Sequence, residues 1–366
     1  MKVEILDLKQ RYSEEKKEIL KCVKRVLSKG NLILTSEVDT FEKEICKYTG
    51  AKYCLGLNSG TDALMMALWS VGIKKGEEVI TSATSFVATS NSIRHVGATP
   101  VFVDVQSDLN IDPDLIEKAI TKKTRAIMPV HWTGRVCNMD KIKKIAKKHN
   151  LIIIEDAAQA MGAYFKNKHA GTFGKVSAFS THPFKNLNAV GDGGFIITDD
   201  KKIYEKIKMY RNHGLRGRDD VEMVGVNSRL DSIHAEILKF RLRRLKGIIS
   251  RKKKNINQYR QLVKNKNFIL IKDDKKIKSS HSMFVTVCNK RDKLKEFLEQ
   301  SNIQSRIYYK KPLHLIKANK DLGYKRGDLP NTEKFANLVL SFPYHQHLKK
   351  KQIQFVCKQI NKFYKK

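Results

Sequence analysis

The sequence has few cysteines and no long apolar run. Its cysteines show neither the Cys-x-x-Cys spacing of a metal site nor the density of a disulfide scaffold. They are Cys22, Cys46, Cys54, Cys137, Cys288 and Cys357. No apolar segment approaches the length of a membrane span, and the first residues lack the apolar core of a signal peptide. We therefore expect a cytoplasmic protein that is neither exported nor anchored, with no bound metal.

Acidic residues are also scarce. Aspartate and glutamate number 37 against 72 lysines and arginines, which gives a formal net charge of +35. A chain this basic can bind nucleic acid or an anionic substrate. The lysines are dispersed, however, and the runs at residues 251–254 and 349–351 lie on helical patterns without interleaved aromatic residues. We expect weak adhesion to polyanions and no specific binding of nucleic acid.

The length of 366 residues and the spacing of apolar residues predict two structural units. Apolar runs alternate with helical patterns over the first two thirds of the chain, which predicts βαβ units and a mainly parallel sheet. The runs lie at residues 78–81, 100–105, 125–130 and 151–155. Beyond about residue 245 a lysine-rich helical stretch and short apolar runs predict a smaller α+β unit. The predicted domains are residues 1–245 and 246–366.

Two helices carry clear boundary signals. Residues 36–48 form one, with Ser36 and Asp39 at capping-box positions and Gly50 as the stop. Residues 138–149 form another, because apolar residues repeat at helical spacing while lysines take the opposite face. Both helices would flank the predicted sheet.

One lysine stands in a glycine-closed turn between two apolar runs. Lys185 lies between residues 176–180 and 195–198, which predict short buried strands. The glycines within residues 191–194 let the backbone double back closely. We expect the Lys185 amine to point inward, where desolvation lowers its pKa as a Schiff-base lysine requires.

A carboxylate ends another predicted strand. The apolar run at residues 151–155 is followed by Asp156, a pattern typical of a parallel strand that delivers an acid to its carboxyl end. Ligands of open α/β sheets bind at that end. An acid there can pair with a pyridinium nitrogen, so Lys185 and Asp156 together are what a pyridoxal 5′-phosphate (PLP) site needs.

A third element can hold a phosphate. Residues 53–68 follow a pattern of strand, small polar turn and helix, so the backbone N–H groups of Gly60, Thr61 and Asp62 would stand free at a helix N-terminus. Many such turns carry these residue types only as helix caps. The phosphate interpretation therefore depends on the lysine and the aspartate.

Taken together, these motifs resemble the sugar-nucleotide aminotransferase (DegT-type) family of fold type I PLP-dependent enzymes. The resemblance rests on Asn-Ser-Gly-Thr-Asp-Ala-Leu at residues 58–64, Glu-Asp-Ala-Ala-Gln-Ala at 155–160, Lys-Asn-Leu at 185–187 with Gly-Asp-Gly-Gly at 191–194, and Asn-Ser-Arg-Leu-Asp at 227–231. It extends from Leu-Asp-Leu at 6–8 to Leu-Ser-Phe-Pro at 340–343 and so covers nearly the whole chain. It implies an α/β fold with a mainly parallel seven-stranded sheet flanked by helices.

The resemblance also implies roles for single residues. Lys185 would form the Schiff base, Asp156 would contact the pyridine nitrogen, Gln159 would lie near the ring hydroxyl and Phe86 would stack on the ring. The phosphate would be held by Gly60, Thr61, Asp62 and Ser180, and by Asn227 of a neighbouring subunit in a homodimer with shared active sites. Taken singly, Phe86 also fits core packing, Ser180 a local hydrogen bond and Asn227 a helix cap.

Substrate contacts are expected around residues 306–314. Similar enzymes usually carry proline and an apolar residue where this chain has Lys310 and Lys311. Two interpretations are equally open: the lysines lie near a diphosphate or carboxylate of the substrate, or both face solvent. His131 and Trp132 are expected to help shape a sugar pocket, and for Trp132 core packing is an equally open interpretation. The candidate substrate residues are His131, Trp132, Arg229, Tyr309, Lys310 and His314.

The implied reaction is a ping-pong transamination in amino-sugar and surface-glycan biosynthesis, such as that of O-antigen or lipopolysaccharide. An amino acid, by family habit glutamate, would give its amino group to PLP, leaving pyridoxamine phosphate (PMP). A keto-sugar linked to dTDP, UDP or GDP would receive it, with Lys185 moving the proton in both halves.

Three alternatives remain. The first is an aminotransferase for a free acidic keto-sugar such as a keto-octulosonate, which Lys310 and Lys311 favour. The second is a PMP-dependent sugar dehydratase, whose relatives replace the Schiff-base lysine by histidine, so Lys185 argues against it. The third is a non-catalytic regulatory protein with a PLP fold.

Overall fold

Strands and helices alternate along the first two hundred residues and then give way to a long helix and a smaller sheet. The computed structural model describes residues 1–272 and 274–365. Its α-helices are α1 (Leu8–Leu27), α2 (Ser36–Thr49), α3 (Gly60–Ser70), α4 (Val87–His95), α5 (Pro113–Ile116), α6 (Met139–Lys148), α7 (Lys201–Tyr210), α8 (Ser232–Leu262), α9 (Arg291–Gln300), α10 (Pro330–Leu338) and α11 (Lys350–Lys365). Its strands are β1 (Tyr53–Leu57), β2 (Glu78–Ser82), β3 (Thr99–Val103), β4 (Thr124–Met128), β5 (Ile152–Asp156), β6 (Tyr164–Phe165), β7 (Lys168–His169), β8 (Val176–Ser180), β9 (Gly194–Thr198), β10 (Phe268–Leu270), β11 (Ile277–Lys278), β12 (Val285–Cys288) and β13 (Val339–Ser341).

The large sheet has seven strands in the order β1-β9-β8-β5-β4-β2-β3. Strands β3, β2, β4, β5 and β8 run parallel, while β9 lies antiparallel to both β1 and β8. The predicted mainly parallel seven-stranded sheet is confirmed. Because parallel strands share one carboxyl edge, residues that follow β5 and β8 meet at the same place.

Both faces of this sheet are covered by helices. Phe41 of α2, Ile142 of α6 and Leu242 of α8 pack in the core on one face. Leu64 of α3 and Ile207 of α7 pack on the other. Strands buried on both faces explain why the sheet reads in the sequence as short continuous apolar runs.

A smaller antiparallel sheet, β10-β12-β13, forms a separate core with α9 and α11. Helix α8 joins the two units: Leu245 packs with the large sheet, whereas Ile256 packs with the small one. The division proposed between residues 245 and 246 therefore falls inside a continuous helix. Val3, which the division assigns to the large unit, packs in the small core and forms a bridge with Ile303.

The helix boundaries agree with the sequence except at one cap. Asn138 caps α6 by accepting a hydrogen bond from the Lys141 N–H at 3.3 Å, and Gly50 ends α2 in the left-handed region at φ 84°. The predicted Ser36 cap is wrong, because Thr35 is the N-cap residue and Ser36 already lies in the helix. Across residues 1–272 and 274–365, no helix is long and apolar enough to span a membrane.

Candidate active site

A cavity of about 500 Å³ opens at the carboxyl edge of the large sheet, next to the small sheet. A cavity of this size suits a cofactor or a small ligand. Residues of both units line it, including Ser59, Gly60, Thr61, Phe86, Thr89, Asp156, Gln159, Ser180, His182, Lys185, Asp192, Arg306, Tyr308, Tyr309 and Tyr344.

Lys185 lies in the loop between β8 and β9. Its N–H donates to the His182 carbonyl at 2.8 Å, and the Ala189 N–H donates to the Thr181 carbonyl at 2.7 Å, which closes the loop. A side chain at Gly193 would come within 2.4 Å of Thr181 Oγ1, so glycine permits this close return. Within the described residues the Lys185 amine has no hydrogen-bond or ion-pair partner. Burial lowers its pKa, as expected from the sequence, although the charge of Asp156 opposes the fall.

Asp156 is the last residue of β5 and is buried beneath the cavity. Its Oδ2 accepts a hydrogen bond from Thr89 Oγ1 at 2.7 Å, and its Oδ1 accepts one from the Ala158 N–H at 3.2 Å. Burial raises the pKa of Asp156, while these two hydrogen bonds and the charge of Lys185 oppose the rise. A carboxylate that is costly to keep charged in this place gains most from a cationic ligand.

The N-terminus of α3 forms the opposite wall. Ser59 caps the helix by accepting from the Asp62 N–H at 3.0 Å, which leaves the N–H groups of Gly60 and Thr61 without partners inside the helix. A Cβ at Gly60 would lie 2.6 Å from Ser180 Cβ, and one at Gly194 would lie 2.4 Å from the Ser59 carbonyl oxygen. Glycine at both positions lets the helix end approach β8 and β9 closely.

Phe86 and Gln159 complete the cavity wall. The Phe86 ring is 53% exposed although most large apolar side chains of this unit are buried, and it lies 5.9 Å from the Tyr309 ring. Gln159 is held in place because its Oε1 accepts from the Thr133 N–H at 2.7 Å. An exposed aromatic face and an oriented amide are suited to a flat heteroaromatic ligand.

Two predicted phosphate residues lie outside this cavity. Asp62 lies in the first turn of α3 but does not line the cavity, and its carboxylate accepts a hydrogen bond from Ser228 Oγ at 2.7 Å. Asn227 is exposed on the surface beside Ser228. Asn227 therefore does not line the cavity of its own chain.

His131 and Trp132 do not line the cavity. His131 is fully buried: its Nδ1 accepts from the Cys137 N–H at 3.2 Å, so its Nε2 donates to Glu155 at 2.8 Å. Burial alone would raise the pKa of Glu155, but the bonds from His131 and from backbone N–H groups outweigh it and lower that pKa. Trp132 is also buried and packs against Val285 of the small sheet. The structure thus places His131 in the core and not in the cavity wall, contrary to the prediction, and for Trp132 it supports core packing.

Among the other candidate substrate residues, only Tyr309 lines the cavity. Arg229 donates to Asn212 Oδ1 at 3.0 Å, and buried His314 contacts Glu333 at 3.1 Å. Lys310 is exposed and lies outside the cavity wall. The substrate set expected from the sequence is thus dispersed.

Sequence reasoning missed several residues that line the cavity, among them Thr89, His182 and Arg306. Thr89 holds Asp156, His182 stands at the start of the lysine loop, and Arg306 enters from the small unit. Thr89 lies three residues beyond Phe86 in α4, and the sequence predicts a role only for the Phe86 ring. Arg306 is the first residue of the segment in which substrate contacts are expected, but it is not among the candidate substrate residues.

The residues present fit PLP. An unpartnered lysine amine, a buried carboxylate, a helix N-terminus with free N–H groups and an exposed aromatic ring surround one cavity. Lys185 would hold the aldehyde carbon, Asp156 the ring nitrogen, and Gly60, Thr61 and Ser180 the phosphate. The fold and this cavity define a PLP-dependent transferase.

Comparison with known proteins identifies the family. The model of the DegT/DnrJ/EryC1/StrS aminotransferase family matches residues 13–361, and the chain belongs to this family. Two structures of a sugar aminotransferase Spr1654 from Streptococcus pneumoniae, titled as putative and solved in PLP and PMP forms, match at 25% identity and a TM-score of 0.90. Each match covers 95% of this chain and 96% of that one. The protein is a PLP-dependent sugar aminotransferase.

More similar relatives span the whole chain. A "Pleiotropic regulatory protein" of Geobacillus stearothermophilus is 40% identical over 100% of this chain and 99% of its own length. A dTDP-3-amino-3,4,6-trideoxy-alpha-D-glucose transaminase of Streptomyces venezuelae is 37% identical over 96% of this chain and 93% of its own. The structure of S. venezuelae DesV with a ketimine intermediate matches with a TM-score of 0.97 at 36% identity, covering 100% and 99% of the two chains.

Proposed function

We propose that this enzyme moves an amino group from glutamate to a keto-deoxysugar linked to a nucleoside diphosphate, with dTDP as the first choice of nucleotide. The observation that carries the proposal is that the Lys185 amine, which has no partner among the described residues, and buried Asp156 line the same cavity. The 37% identical dTDP-sugar transaminase supports the substrate class. Glutamate is the donor that the family resemblance implies.

Lys185 is proposed as the residue that binds PLP and then carries the proton between the amino-bearing carbon and the cofactor. Bound PLP supplies an electron sink, which lets that carbon lose its proton. A lowered pKa suits Lys185 to this task, because the free amine can accept a proton near neutral pH. Asp156, oriented by Thr89, would keep the ring nitrogen protonated through its negative charge.

We further propose a homodimer with shared active sites, in which Asn227 contacts the phosphate of the partner subunit. The support is local: Asn227 is exposed, and the preceding loop exposes 66% of Val221 and 93% of Val224, which a monomer would leave in water. Mixing inactive Lys185→Ala with inactive Asn227→Asp subunits tests it. Shared sites predict about a quarter of wild-type activity, since half of the dimers are mixed and each has one intact site. Activity that does not return on mixing contradicts the proposal.

The setting proposed is amino-sugar synthesis for a surface glycan such as O-antigen, in the cytoplasm. All six cysteines are free thiols in the structure, as expected in a reducing compartment. Nucleotide sugars carry two or more negative charges, which the basic surface of the chain would attract.

Two alternative functions are each supported by one observation. Lys310 is exposed near the cavity residue Tyr309, which favours an acidic keto-sugar as acceptor. The name of the 40% identical relative favours a regulatory protein. The intact lysine, aspartate and helix N-terminus speak for turnover, because a protein that only binds a partner has no need of them.

Half-reactions separate these candidates. Enzyme converted by glutamate to its PMP form is freed of donor and mixed with a dTDP-linked keto-deoxysugar or with a free keto-octulosonate. Return of the visible absorption of lysine-bound PLP with the dTDP sugar is the expected result. Return only with the octulosonate would shift the assignment to the acidic sugar, and no return with any keto-sugar would contradict the proposed function.

A further inference from the structure

Arg306 is a cation of the cavity that the proposed chemistry leaves unused. Among the described residues that line the cavity, the basic side chains are those of His182, Lys185 and Arg306. Lys185 is assigned to the cofactor. Burial lowers the pKa of His182, which favours its neutral form. Arg306 is therefore the permanent positive charge that a ligand would meet.

The backbone holds Arg306 at a defined place. Its N–H donates to the Ser341 carbonyl at 3.1 Å, and the Ser341 N–H donates back at 2.7 Å. Ser341 ends β13 and is fully buried, so the small sheet fixes the base of the Arg306 side chain. The side chain anchored in this way is exposed and lines the cavity next to the small sheet.

The guanidinium of Arg306 stacks on the ring of Phe184. Its central carbon lies 5.1 Å from the centre of the Phe184 ring, and Phe184 immediately precedes Lys185. Stacking uses the face of the guanidinium and leaves its N–H edge free to bind a planar anion. In the described part of the chain no carboxylate pairs with it: Asp156, the buried acid of the cavity, is held by Thr89.

We propose that Arg306 binds a carboxylate of the molecules that react in this cavity. This inference rests on the proposed aminotransferase function. A carboxylate can come from two sources, the amino-acid donor or an acidic keto-sugar, because both occupy the same cavity in turn. In an amino acid the carboxylate is one bond away from the carbon whose proton Lys185 takes. An anion site beside residue 184 is therefore well placed for it.

Binding of glutarate tests the site without turnover. Glutarate is a dicarboxylate that lacks an amino group, and its binding to the PLP form is followed by the change in visible absorption. Loss of a bidentate arginine–carboxylate pair predicts a Kd about 10- to 100-fold higher for Arg306→Gln. Arg306→Lys should recover only part of the affinity, because lysine lacks the planar fork. Arg326→Gln, at an exposed arginine outside the cavity, is the matched control and should match wild type.

Turnover arms distinguish the two sources. The rate at which glutamate converts the PLP form of the enzyme to the PMP form is compared with the rate for its α-amide, in wild type and in Arg306→Gln. The PMP form of each is then mixed with keto-sugars with and without a carboxylate. A rate loss of about 10-fold or more in Arg306→Gln that is confined to glutamate assigns the carboxylate to the donor, and one confined to the acidic sugar assigns it to the acceptor. A loss on both shows that one site serves both.

Other results would overturn the inference. The inference is contradicted if Arg306→Gln changes the glutarate Kd by less than about twofold. It is also contradicted if the substitution weakens binding of ligands without a carboxylate as much as binding of ligands with one. Failure of the function itself gives a different pattern: wild type would bind glutarate through Arg306 yet transfer no amino group. Normal visible absorption of lysine-bound PLP in Arg306→Gln shows that the fold of the site is intact.

Discussion

Lys252 is a buried cation without an acidic partner, and replacing it by methionine is expected to change how stability depends on pH. Its side chain lies in α8, is 3% exposed and donates to Asn186 Oδ1 at 2.7 Å. The amine also lies 4.9 Å from the centre of the Tyr344 ring. No carboxylate of the described residues lies within ion-pair distance, and buried Arg11 adds a like charge.

The expected magnitude follows from the pKa. Burial, reinforced by Arg11, lowers the pKa of Lys252 from 10.5 to about 7. At about 1.4 kcal/mol for each pH unit, a charged Lys252 costs the folded state about 5 kcal/mol at acidic pH. The unfolded state keeps the proton up to pH 10.5 whereas the folded state loses it near pH 7, so the unfolded state binds more protons in this window. The cost is fully present below pH 7 and is relieved as the pH rises to 10.5.

Lys252→Met removes this cost and its pH dependence. It also leaves Asn186 Oδ1 without its donor, which offsets about 1–3 kcal/mol of the gain. We expect the variant to be more stable than wild type at pH 7, with an advantage that shrinks by about 2 kcal/mol on going to pH 9.

Urea unfolding of the two holoenzymes at pH 7 and pH 9, at one protein concentration, measures both quantities. Lys253→Met, at the exposed neighbour, is the control and should show a small difference without a pH trend. A difference between Lys252→Met and wild type that stays constant from pH 7 to pH 9 would refute the reasoning.

Two further substitutions probe the cofactor site. Thr89→Val removes the hydrogen bond to Asp156 and should lower kcat/KM about 10- to 100-fold. Because the pKa of Asp156 then rises further, the acid limb of the pH–rate profile should move to higher pH, whereas Thr89→Ser should keep the wild-type kcat/KM and pH profile. A pH–rate profile that does not move in Thr89→Val would contradict this role of Thr89. Gly60→Ala places a Cβ 2.6 Å from Ser180 Cβ and should weaken PLP binding by about tenfold or more, measured by titration of the apoenzyme. Gly247→Ala in α8, where a Cβ meets no atom within 4 Å, is the control and should stabilise the protein by about 0.5–1 kcal/mol. Equal PLP affinity in Gly60→Ala and Gly247→Ala would contradict the steric argument.

Much of the large unit could be predicted from the sequence because its strands are short and mostly buried. The run predicted at residues 176–180 matches β8, and the runs at 78–81 and 151–155 fall within one residue of β2 and β5. Apolar residues dominate strands that are buried on both faces, so these strands appear in the sequence as short apolar runs. The short third strand of the small sheet, β13, gave no comparable signal because it follows α10 directly.

The candidate site was predictable where one residue sits in a local motif. Lys185 and Asp156 each end a strand or fill a tight turn, and the sheet brings them into one cavity. Thr89 and Arg306 could not be predicted, because their contacts join segments 67 residues apart in one case and different units in the other. His131 illustrates the reverse: the family resemblance predicts a pocket residue, yet the hydrogen bond to Glu155 holds its side chain in the core.

The account depends most directly on Lys185 as the residue that binds PLP. The visible absorption of the purified protein with PLP, before and after glutamate, tests this in wild type and in Lys185→Ala, with Lys252→Met as a second buried lysine for comparison. We predict a band of lysine-bound PLP in wild type and in Lys252→Met that glutamate converts to the PMP form, and no such band in Lys185→Ala. A wild-type protein without the band, or the same band in Lys185→Ala, would contradict the account.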